Sequence, residues 1–300
     1  MKYINQSFTE LDDKRLFQKI ELCGRVCYKS EDKITETSAI NFVKKICVNN
    51  HGSVLEHYAF VLRVDETYYN ELKEARLEFF TLTNESFPIV SFNVRAFFNY
   101  YNLDNNFAPL VKIRDFIAYT HPNLLDNVIV NETDGSISLI EDFESLTENE
   151  RDLHQRVTIK LITDRGVTHE LVRHRLASFS QESTRYCNYG KDKFGKEITC
   201  IRPVELKDED LPIWIKSMEE AEKAYFDLLD RGATPQLARS VLPTALKTEL
   251  CLTANIKEWK LIFDLRCSPF AHPDVRVLMN EVKTYFVEKG YIRWFYRVLN

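Results

Sequence analysis

Residues 173–186 concentrate side chains that bind anions. The segment reads RHRLASFSQESTRY and holds three arginines together with four serine or threonine hydroxyls. A guanidinium binds a phosphate through two parallel hydrogen bonds, and hydroxyls and loop N–H groups can complete the cradle. This composition is typical of a site for an anionic nucleotide, although a solvated basic patch without any ligand has the same composition.

The same region partly matches several better-known motifs, but each match lacks a required feature. His169 and His174 lie five positions apart, about 140° around a helix, so they do not form the zinc pair of a metalloprotease. In GKDKFGKE, Glu197 stands where a phosphate-binding P-loop needs serine or threonine. Neither GxG nor GxSxG occurs, which argues against a Rossmann fingerprint and an ordinary serine hydrolase. We expect no metal site.

A strand and a helix directly before this segment must position it. Residues 156–163 alternate apolar and polar side chains, as residues 57–64 do, and both patterns predict half-buried strands. Asp164 is of the type that caps a helix, here one running from residue 165 to about 174. A polar loop then carries the rest of the segment.

Further helices are predicted on both sides. Apolar residues recur at helical spacing over residues 37–50 and 215–231. Thr234 has the type of an N-cap, and the helix that it begins carries Arg239. A long final helix follows Pro273. Together these patterns predict a helix-rich α+β fold with a modest, mainly antiparallel sheet.

The chain is long enough to bury a substantial core. With 300 residues, 44% of them hydrophobic, it can form one large or two small domains, and we predict a single catalytic domain over residues 1–300. Residues 65–155 are interpreted as an insertion or helical subdomain within it, with helices at 66–80 and 92–101 before an acidic stretch. A role in packing or oligomer formation is the expected one for this segment.

Charge is unevenly distributed along the chain. The net charge is −5, but residues 126–152 carry nine acids against one arginine and sum to −8. The remainder is therefore +3, which suits a body that binds small anionic ligands. The acidic stretch itself is expected to be a solvated loop.

The composition also indicates the compartment. No run of about 18 apolar residues is present, and the N-terminal residues lack the apolar stretch of a secretory signal, so we expect no membrane span. The seven cysteines are scattered and contain no CxxC pair, which argues against a disulfide framework and a structural zinc site. We predict a cytoplasmic protein.

Arg173, His174 and Arg175, followed after seven residues by Ser183, form the RHRx7S signature and resemble the flavin-dependent thymidylate synthases. The resemblance covers most of residues 20–60 and 156–280, and it implies the fold of that family. The other matching segments, in the expected order, are RVCY at 25–28, HGSVLEH at 51–57, TPQLARSVLP at 234–243 and residues 255–266.

The resemblance implies a set of dUMP ligands. Arg266 is implied to be catalytic, contacting the uracil edge and helping to ionise N3, which activates C5. It is also implied that guanidiniums from three distant stretches converge on one nucleotide. The remaining implied ligands are Glu170, Arg173, Gln181, Glu182, Ser183, Thr184, Arg185 and Arg239.

The resemblance also implies an FAD site and two co-substrates. In the family NADPH reduces FAD, methylenetetrahydrofolate donates the one-carbon unit, and reduced flavin completes the methyl group. The family forms homotetramers whose active sites lie at subunit interfaces, so the same assembly is implied here. The residues implied to line FAD are His51, Ser53, Arg173, His174, Arg175, Gln181, Asn255 and Lys257.

A cysteine nucleophile is not expected. The other class of thymidylate synthase uses a cysteine, usually between proline and histidine, and none of the nine prolines here precedes a cysteine. Cys187 is the nearest candidate, but no histidine adjoins it in sequence, so we predict a packed thiol. Ser183 has no identifiable base beside it and is assigned to binding.

Two alternatives from other classes stay open. An RNA-binding module would use the arginines with Tyr186 and Tyr189 for stacking, but the net charge of −5 disfavours it, and we expect no nucleic-acid partner. A nucleotide hydrolase would need a divalent metal and clustered carboxylates. Residues 173–186 offer only Glu182.

Overall fold

The structure, a computed structural model, describes most of the chain. The residues described are 1–49, 51–103, 106–125, 128, 130, 132–133 and 135–293. Asp126 and Asp134 of the acidic stretch lie outside them, and the side chain of Asp192 is not described.

Strands and helices alternate along the described residues. The strands are β1 (Lys2–Ile4), β2 (Ser7–Glu10), β3 (Ala59–Val64), β4 (Thr81–Asn84), β5 (Pro88–Asn93), β6 (Ile137–Leu139), β7 (Arg156–Asp164), β8 (Ser178–Gln181), β9 (Thr199–Ile201) and β10 (Lys247–Asn255). The helices are α1 (Leu16–Tyr28), α2 (Ser38–Val48), α3 (Gly52–Leu55), α4 (Glu66–Ala75), α5 (Val94–Tyr101), α6 (Ala108–Thr120), α7 (Glu148–His154), α8 (Arg165–Leu171), α9 (Leu211–Asp230), α10 (Pro235–Ala238), α11 (Ile256–Arg266) and α12 (Pro273–Glu288).

The longest strand pairing joins β7 and β10. They run antiparallel along their whole length, from Arg156 opposite Asn255 to Asp164 opposite Lys247. Both lie at the centre of a four-stranded antiparallel sheet with the order β2–β7–β10–β8. A second antiparallel sheet has the order β4–β5–β3–β6, and β1 pairs with β9 in parallel. The predicted α+β class with mainly antiparallel strands is confirmed.

One face of the central sheet is packed against helices. Val157, Ile159 and Leu161 alternate along β7 and are buried with Trp259 of α11 and Phe286 of α12. The rings of Trp259 and Phe286 lie 4.8 Å apart, and the indole N–H donates to the carbonyl of Val157 at 3.1 Å. Each buried side chain of this size stabilises the fold by about 1.5–3 kcal/mol. This packing fixes the strand that precedes the arginine-rich segment.

The helix starts follow the predicted capping. The Asp164 carboxylate accepts a hydrogen bond from the Val167 N–H at 2.7 Å, which begins α8. Thr234 caps α10 in the same way. However, α8 ends at Leu171, earlier than predicted, and the exposed Val172 offers no core contact to extend it. The RHR motif therefore lies in the turn after the helix.

Residues 65–155 contain strands that the sequence pattern did not indicate. The helix predicted at 66–80 ends at Ala75, since Arg76 adopts a left-handed backbone with a φ of 48°. Strands β4 and β5 follow, and the next helix starts only after Asn93. Sequence reasoning missed these two strands; β5 is buried on both faces and so lacks the alternation of a half-buried strand.

The second sheet connects this segment to β3, which precedes it. Val90 and Phe92 of β5 are buried in one core with Phe60 of β3, and Phe80 stacks on Phe92 with 4.5 Å between ring centroids. The segment thus shares a hydrophobic core with the residues before it. Its assignment as an insertion or subdomain stays a prediction.

Candidate active site

Arg266 is held by three hydrogen bonds at the end of α11. Its Nε donates to Nε2 of His174 at 3.1 Å. One terminal nitrogen donates to the Glu170 carboxylate at 2.8 Å, and the other donates to the Glu170 carbonyl at 2.7 Å. The guanidinium is 15% exposed. Its orientation is therefore fixed while one side of the group stays accessible.

His174 is buried between Arg266 and a carboxylate. Its Nδ1 lies 3.3 Å from Oε1 of Glu258, which is also buried. Burial, together with the charge of Arg266, lowers the pKa of His174 to about 4, and burial raises the pKa of Glu258. The imidazole is thus neutral at pH 7. Because Nε2 accepts from Arg266, the proton belongs on Nδ1 and faces Glu258.

A cavity of about 380 Å³ lies beside Arg266. Glu170, Leu265, Ser268 and Phe270 line it, and the Phe270 ring is 98% exposed. The cavity therefore joins a charged group to an open apolar surface. Arg173 is on the outer side of Glu170, 3.7 Å from its carboxylate.

Four predicted nucleotide ligands form a second cluster. Arg239 donates to the hydroxyl of Thr184 at 3.2 Å, and the Arg185 side chain donates to Gln236 at 3.1 Å. The Ser183 hydroxyl accepts from the Arg185 backbone N–H at 3.3 Å. Both guanidiniums are exposed. Neither arginine lines the cavity beside Arg266, so the predicted convergence of three arginines does not occur in the cavity of a single chain.

Glu182 is buried in a network of charges. It accepts hydrogen bonds from Tyr189 and Lys247, both at 3.0 Å. Lys247 also contacts Glu249, as does Lys29. Burial alone would raise the pKa of Glu249, but these two lysines lower it to about 2. Because these charged side chains pair with one another, the network anchors the loop before Arg185.

Gln181 is likewise engaged within the protein. Its amide donates to the hydroxyls of Thr168 at 3.0 Å and Thr248 at 3.3 Å, which connects β8 to α8 and β10. Its position between the RHR turn and Ser183 helps to fix both. Its role as a ligand of dUMP and FAD stays a prediction.

A larger cavity of about 800 Å³ contains three of the residues predicted to bind FAD. Arg175, Asn255 and Lys257 line it. The Asn255 side chain caps α11 by accepting from the Glu258 N–H at 2.9 Å and donates to the Leu153 carbonyl at 3.1 Å. Arg175 and Lys257 are exposed and form no ion pair with any residue that the structure describes. Both are available to a ligand in this cavity, which Arg95, Arg156 and Lys260 also line.

His51 and Ser53 do not line this larger cavity. Both are exposed at the start of α3. Nδ1 of His51 lies 2.9 Å from the Tyr28 hydroxyl, and the Tyr28 ring lies 5.4 Å from that of Tyr186. The structure therefore places His51 near the Arg185 cluster.

Sequence reasoning gave no role to six charged residues of the larger cavity, which are Glu56, Arg95, Arg156, Glu258, Lys260 and Asp264. Glu56 belongs to the HGSVLEH segment and could have been found from it. Arg95 lies in the segment that was given no binding role. Arg156 alternates with apolar residues along a strand, a pattern that equally describes a solvated face.

Two broader findings bear on function. Within the described ranges, no three His, Cys, Asp or Glu side chains lie close enough to hold a metal ion. No helix among the same residues combines the length and the apolar character needed to cross a bilayer.

The family model described as thymidylate synthase complementing protein, Thy1, matches residues 153–289. The similarity to this family is confined to that segment, which is slightly less than half of the chain. The Thy1 segment runs from the end of α7 to the end of α12 and contains every predicted site residue except His51 and Ser53.

Curated relatives match this chain over part of their length. The flavin-dependent thymidylate synthase of Geobacter sulfurreducens is 35% identical over 118 residues, which are 39% of this chain and 50% of that protein. The enzyme of the same name from Pyrococcus furiosus is 39% identical over 114 residues, covering 37% and 46% of the two chains. The match thus spans about half the length of these relatives.

A solved structure gives a weaker likeness. The UMP/dUMP methylase PolB from Streptomyces cacaoi, bound with 5-Br UMP, aligns with 96% of this chain and 92% of its own. The TM-score is 0.42 and the sequence identity 15%. Similarity at this level does not establish a common fold.

Proposed function

We propose that this chain is a flavin-dependent thymidylate synthase that converts dUMP to dTMP without a cysteine nucleophile. Methylenetetrahydrofolate would donate the carbon, and FAD reduced by NADPH would supply the hydride when bound. The observation that carries the proposal is the fixed orientation of Arg266 by Glu170 and His174 within a Thy1 segment. The chain's own residues bind, orient and polarise the nucleotide.

Arg266 has the properties needed to stabilise negative charge on uracil. A guanidinium has five N–H donors, and three hydrogen bonds hold it to His174 and Glu170, so two donors are left for a ligand. The group does not lose its proton at neutral pH, and it is already oriented. It therefore stabilises an anion developing at N3, which increases the electron density at C5, the carbon that is methylated.

Arg185 and Arg239 have the properties needed to bind the phosphate of dUMP. Both are exposed, they come from neighbouring loops, and hydroxyls of Ser183 and Thr184 lie between them. Guanidiniums and hydroxyls together form a cradle for a phosphate dianion. The contacts to Gln236 and Thr184 are neutral, so exchanging them for a phosphate gains charge-assisted hydrogen bonds.

The larger cavity fits FAD. Its volume of about 800 Å³ lies within the common range for ligand pockets. Arg175 and Lys257 offer positive charge to the two phosphates of the cofactor, and Asn255 lies between them. Arg173 lies two residues before Arg175 and is exposed. It would reach the cofactor or the nucleotide from the surface.

The protein is proposed to be a homotetramer with shared active sites. Because the Arg266 and Arg185 clusters do not share a cavity within one chain, a second chain is needed to bring them to one nucleotide. Exposed apolar side chains surround both clusters and support such contacts. They are Val172, Leu176, Leu261, Leu265 and Phe270 near Arg266, and Tyr186 and Leu237 near Arg185.

Cys187 supports a mechanism without a thiolate. It is buried, and burial raises the pKa of its thiol to about 12, so it stays protonated at neutral pH. All seven cysteines are free, which supports the inference of a cytoplasmic location. No feature of the described residues favours the RNA-binding or the hydrolase alternative.

The test is the absorbance spectrum of the purified protein with and without dUMP, followed by assays of NADPH oxidation and dTMP formation. A bound flavin whose spectrum changes with dUMP, together with dTMP production, is the expected result. A colourless protein that neither binds added FAD nor forms dTMP would overturn the proposal.

A further inference from the structure

Arg156 carries a partly buried cation that the proposed reaction does not use. It is the first residue of β7, and its Nε is buried without a hydrogen-bond partner. Burial lowers the pKa of the guanidinium to about 10, against the opposing effect of the Glu56 carboxylate. An unpaired donor on a charged group is destabilising, so this position favours an anionic ligand.

Arg156 lies between two cavities of opposite character. It lines the larger cavity of about 800 Å³ with Arg175 and Lys257, and it also lines a smaller one of about 320 Å³. The smaller cavity is lined by more acids than bases: Glu10, Asp12, Asp13 and Glu141 against Lys14, Lys19 and Arg156. The larger cavity is lined by more bases than acids: Arg95, Arg156, Arg175, Lys257 and Lys260 against Glu56, Glu258 and Asp264. The larger cavity is therefore the more favourable of the two for an anion.

Helix α5 forms the opposite wall of the larger cavity. Arg95 in its first turn and Asn99 four positions later line the cavity from one face of the helix. Arg95 is ion-paired with Glu56 at 2.5 Å, and a Cβ atom at Gly52 would approach its Nε to 3.0 Å. The guanidinium of Arg95 is thus packed in place, although it is half exposed.

We propose that Arg156 binds the diphosphate of FAD at the floor of the larger cavity, and that Arg95 and Asn99 cover the same part of the cofactor. The inference rests on the proposed function and gives the 65–155 segment a role in cofactor binding. On binding, the guanidinium of Arg156 would gain charge-assisted hydrogen bonds from the side that lines the cavity.

Titration of FAD into the full chain freed of flavin, followed by flavin fluorescence, tests this assignment. Arg156→Gln keeps a polar side chain and removes the charge, and it should raise the dissociation constant about tenfold or more. Arg165→Gln is the matched control, since Arg165 also has a buried nitrogen without a partner but lines neither cavity. The affinity of the Arg165→Gln chain for FAD should stay within about twofold of wild type.

The outcomes separate the two proposals. Wild-type affinity in Arg156→Gln overturns the assignment of Arg156 and leaves the proposed function standing. A wild-type chain that binds no FAD overturns the proposed function and this inference with it. If Arg156→Gln does not unfold cooperatively, the exposed variants Arg95→Gln and Asn99→Ala decide. Each should weaken FAD binding about fivefold, and unchanged affinity in both overturns the inference.

Discussion

His174 accepts a hydrogen bond from Arg266, with 3.1 Å between Nε2 and Nε. The bond requires a neutral imidazole, because a protonated ring has no lone pair to offer and repels a guanidinium. Burial and the charge of Arg266 meet this requirement by lowering the pKa of His174 to about 4. The central residue of the RHR motif thus orients a side chain 92 positions further along the chain.

Replacing Arg266 should remove catalysis while leaving the cofactor bound. In Arg266→Ala the anion at N3 of uracil loses its stabilising charge, and we expect dTMP formation to fall by about 10²–10³-fold or more. Flavin content should stay near that of wild type, because Arg266 does not line the larger cavity. Turnover assays and the flavin absorbance measure the two quantities.

Arg276→Ala is the control for this variant. Arg276 lies in α12 and contacts Glu205 and the Pro269 carbonyl, but it does not itself line the cavity beside Arg266, so most of the activity should be retained. Full activity in Arg266→Ala would contradict the catalytic assignment.

Removing the Cys187 thiol should leave the enzyme active. The thiol is buried with a pKa raised to about 12, so it is not a nucleophile at neutral pH. Cys187→Ala should form dTMP at a rate within about threefold of wild type, with a small loss of stability from the cavity. A folded but inactive variant would require a mechanism that uses cysteine.

Stability should depend on pH through His154. Its two ring nitrogens lie 2.8 Å from the hydroxyls of Thr83 and Ser91, and burial together with Arg156 lowers its pKa from 6.5 to about 4. The unfolded chain therefore takes up a proton between these values that the folded chain does not. The contribution of His154 to the free energy of unfolding should be constant above pH 6.5 and should fall as the pH drops towards 4.

His154→Gln, which stays neutral, should reduce this slope in urea unfolding experiments at a series of pH values. His174 acts in the same direction, so some slope will persist in the variant. Glu150 and Glu249, whose pKa values are lowered to about 2, lose their contribution only at still lower pH. An identical slope in variant and wild type would count against the buried neutral state of His154.

Glu249 should be more important to stability than an exposed carboxylate. It contacts Lys29 at 2.6 Å and Lys247 at 2.7 Å, and it is itself 7% exposed. Glu249→Gln leaves both lysines without this carboxylate and should lower the free energy of unfolding by roughly 3 kcal/mol. Asp208→Asn breaks an exposed pair with Arg202 and should cost less than about 1 kcal/mol. Equal losses of unfolding free energy in Glu249→Gln and Asp208→Asn, measured by urea titration, would contradict this prediction.

Shared active sites predict complementation between inactive chains. Co-expressed Arg266→Ala and Arg239→Ala chains should form mixed tetramers in which about a quarter of the sites contain both arginines. Each variant alone should be nearly inactive, and the mixture should regain about that fraction of wild-type activity. Light scattering should give the mass of four 35.3 kDa chains. An active monomer would exclude this arrangement.

The elements around the arginine-rich segment could be predicted because local signals determine them. Asp164 and Thr234 cap their helices through short side-chain contacts, and β7 shows its buried face by alternation. Strands β4 and β5 could not be predicted in this way. Their burial depends on pairing in a sheet that also contains β3 and β6. The apolar pattern within β4 and β5 does not show which strands pair with them.

The sequence indicates candidate site residues by type and spacing but does not indicate how they are grouped. The RHRx7S signature identifies Arg173, His174, Arg175 and Ser183 by type and spacing. It does not reveal that His174 contacts Arg266, since that contact depends on how α11 packs. The pairings of Glu182 with Lys247 and of Arg95 with Glu56 are equally non-local, and each joins parts of the chain that share no sequence pattern.

Strand β10 acts as a fixed spacer between the two binding regions. Lys247 at its start belongs to the charge network below the Arg185 loop, and Asn255 at its end lines the larger cavity. An extended strand of this length spans roughly 25 Å, and its pairing with β7 along the whole length prevents it from shortening. A ligand shorter than this span therefore cannot contact both ends of the same strand.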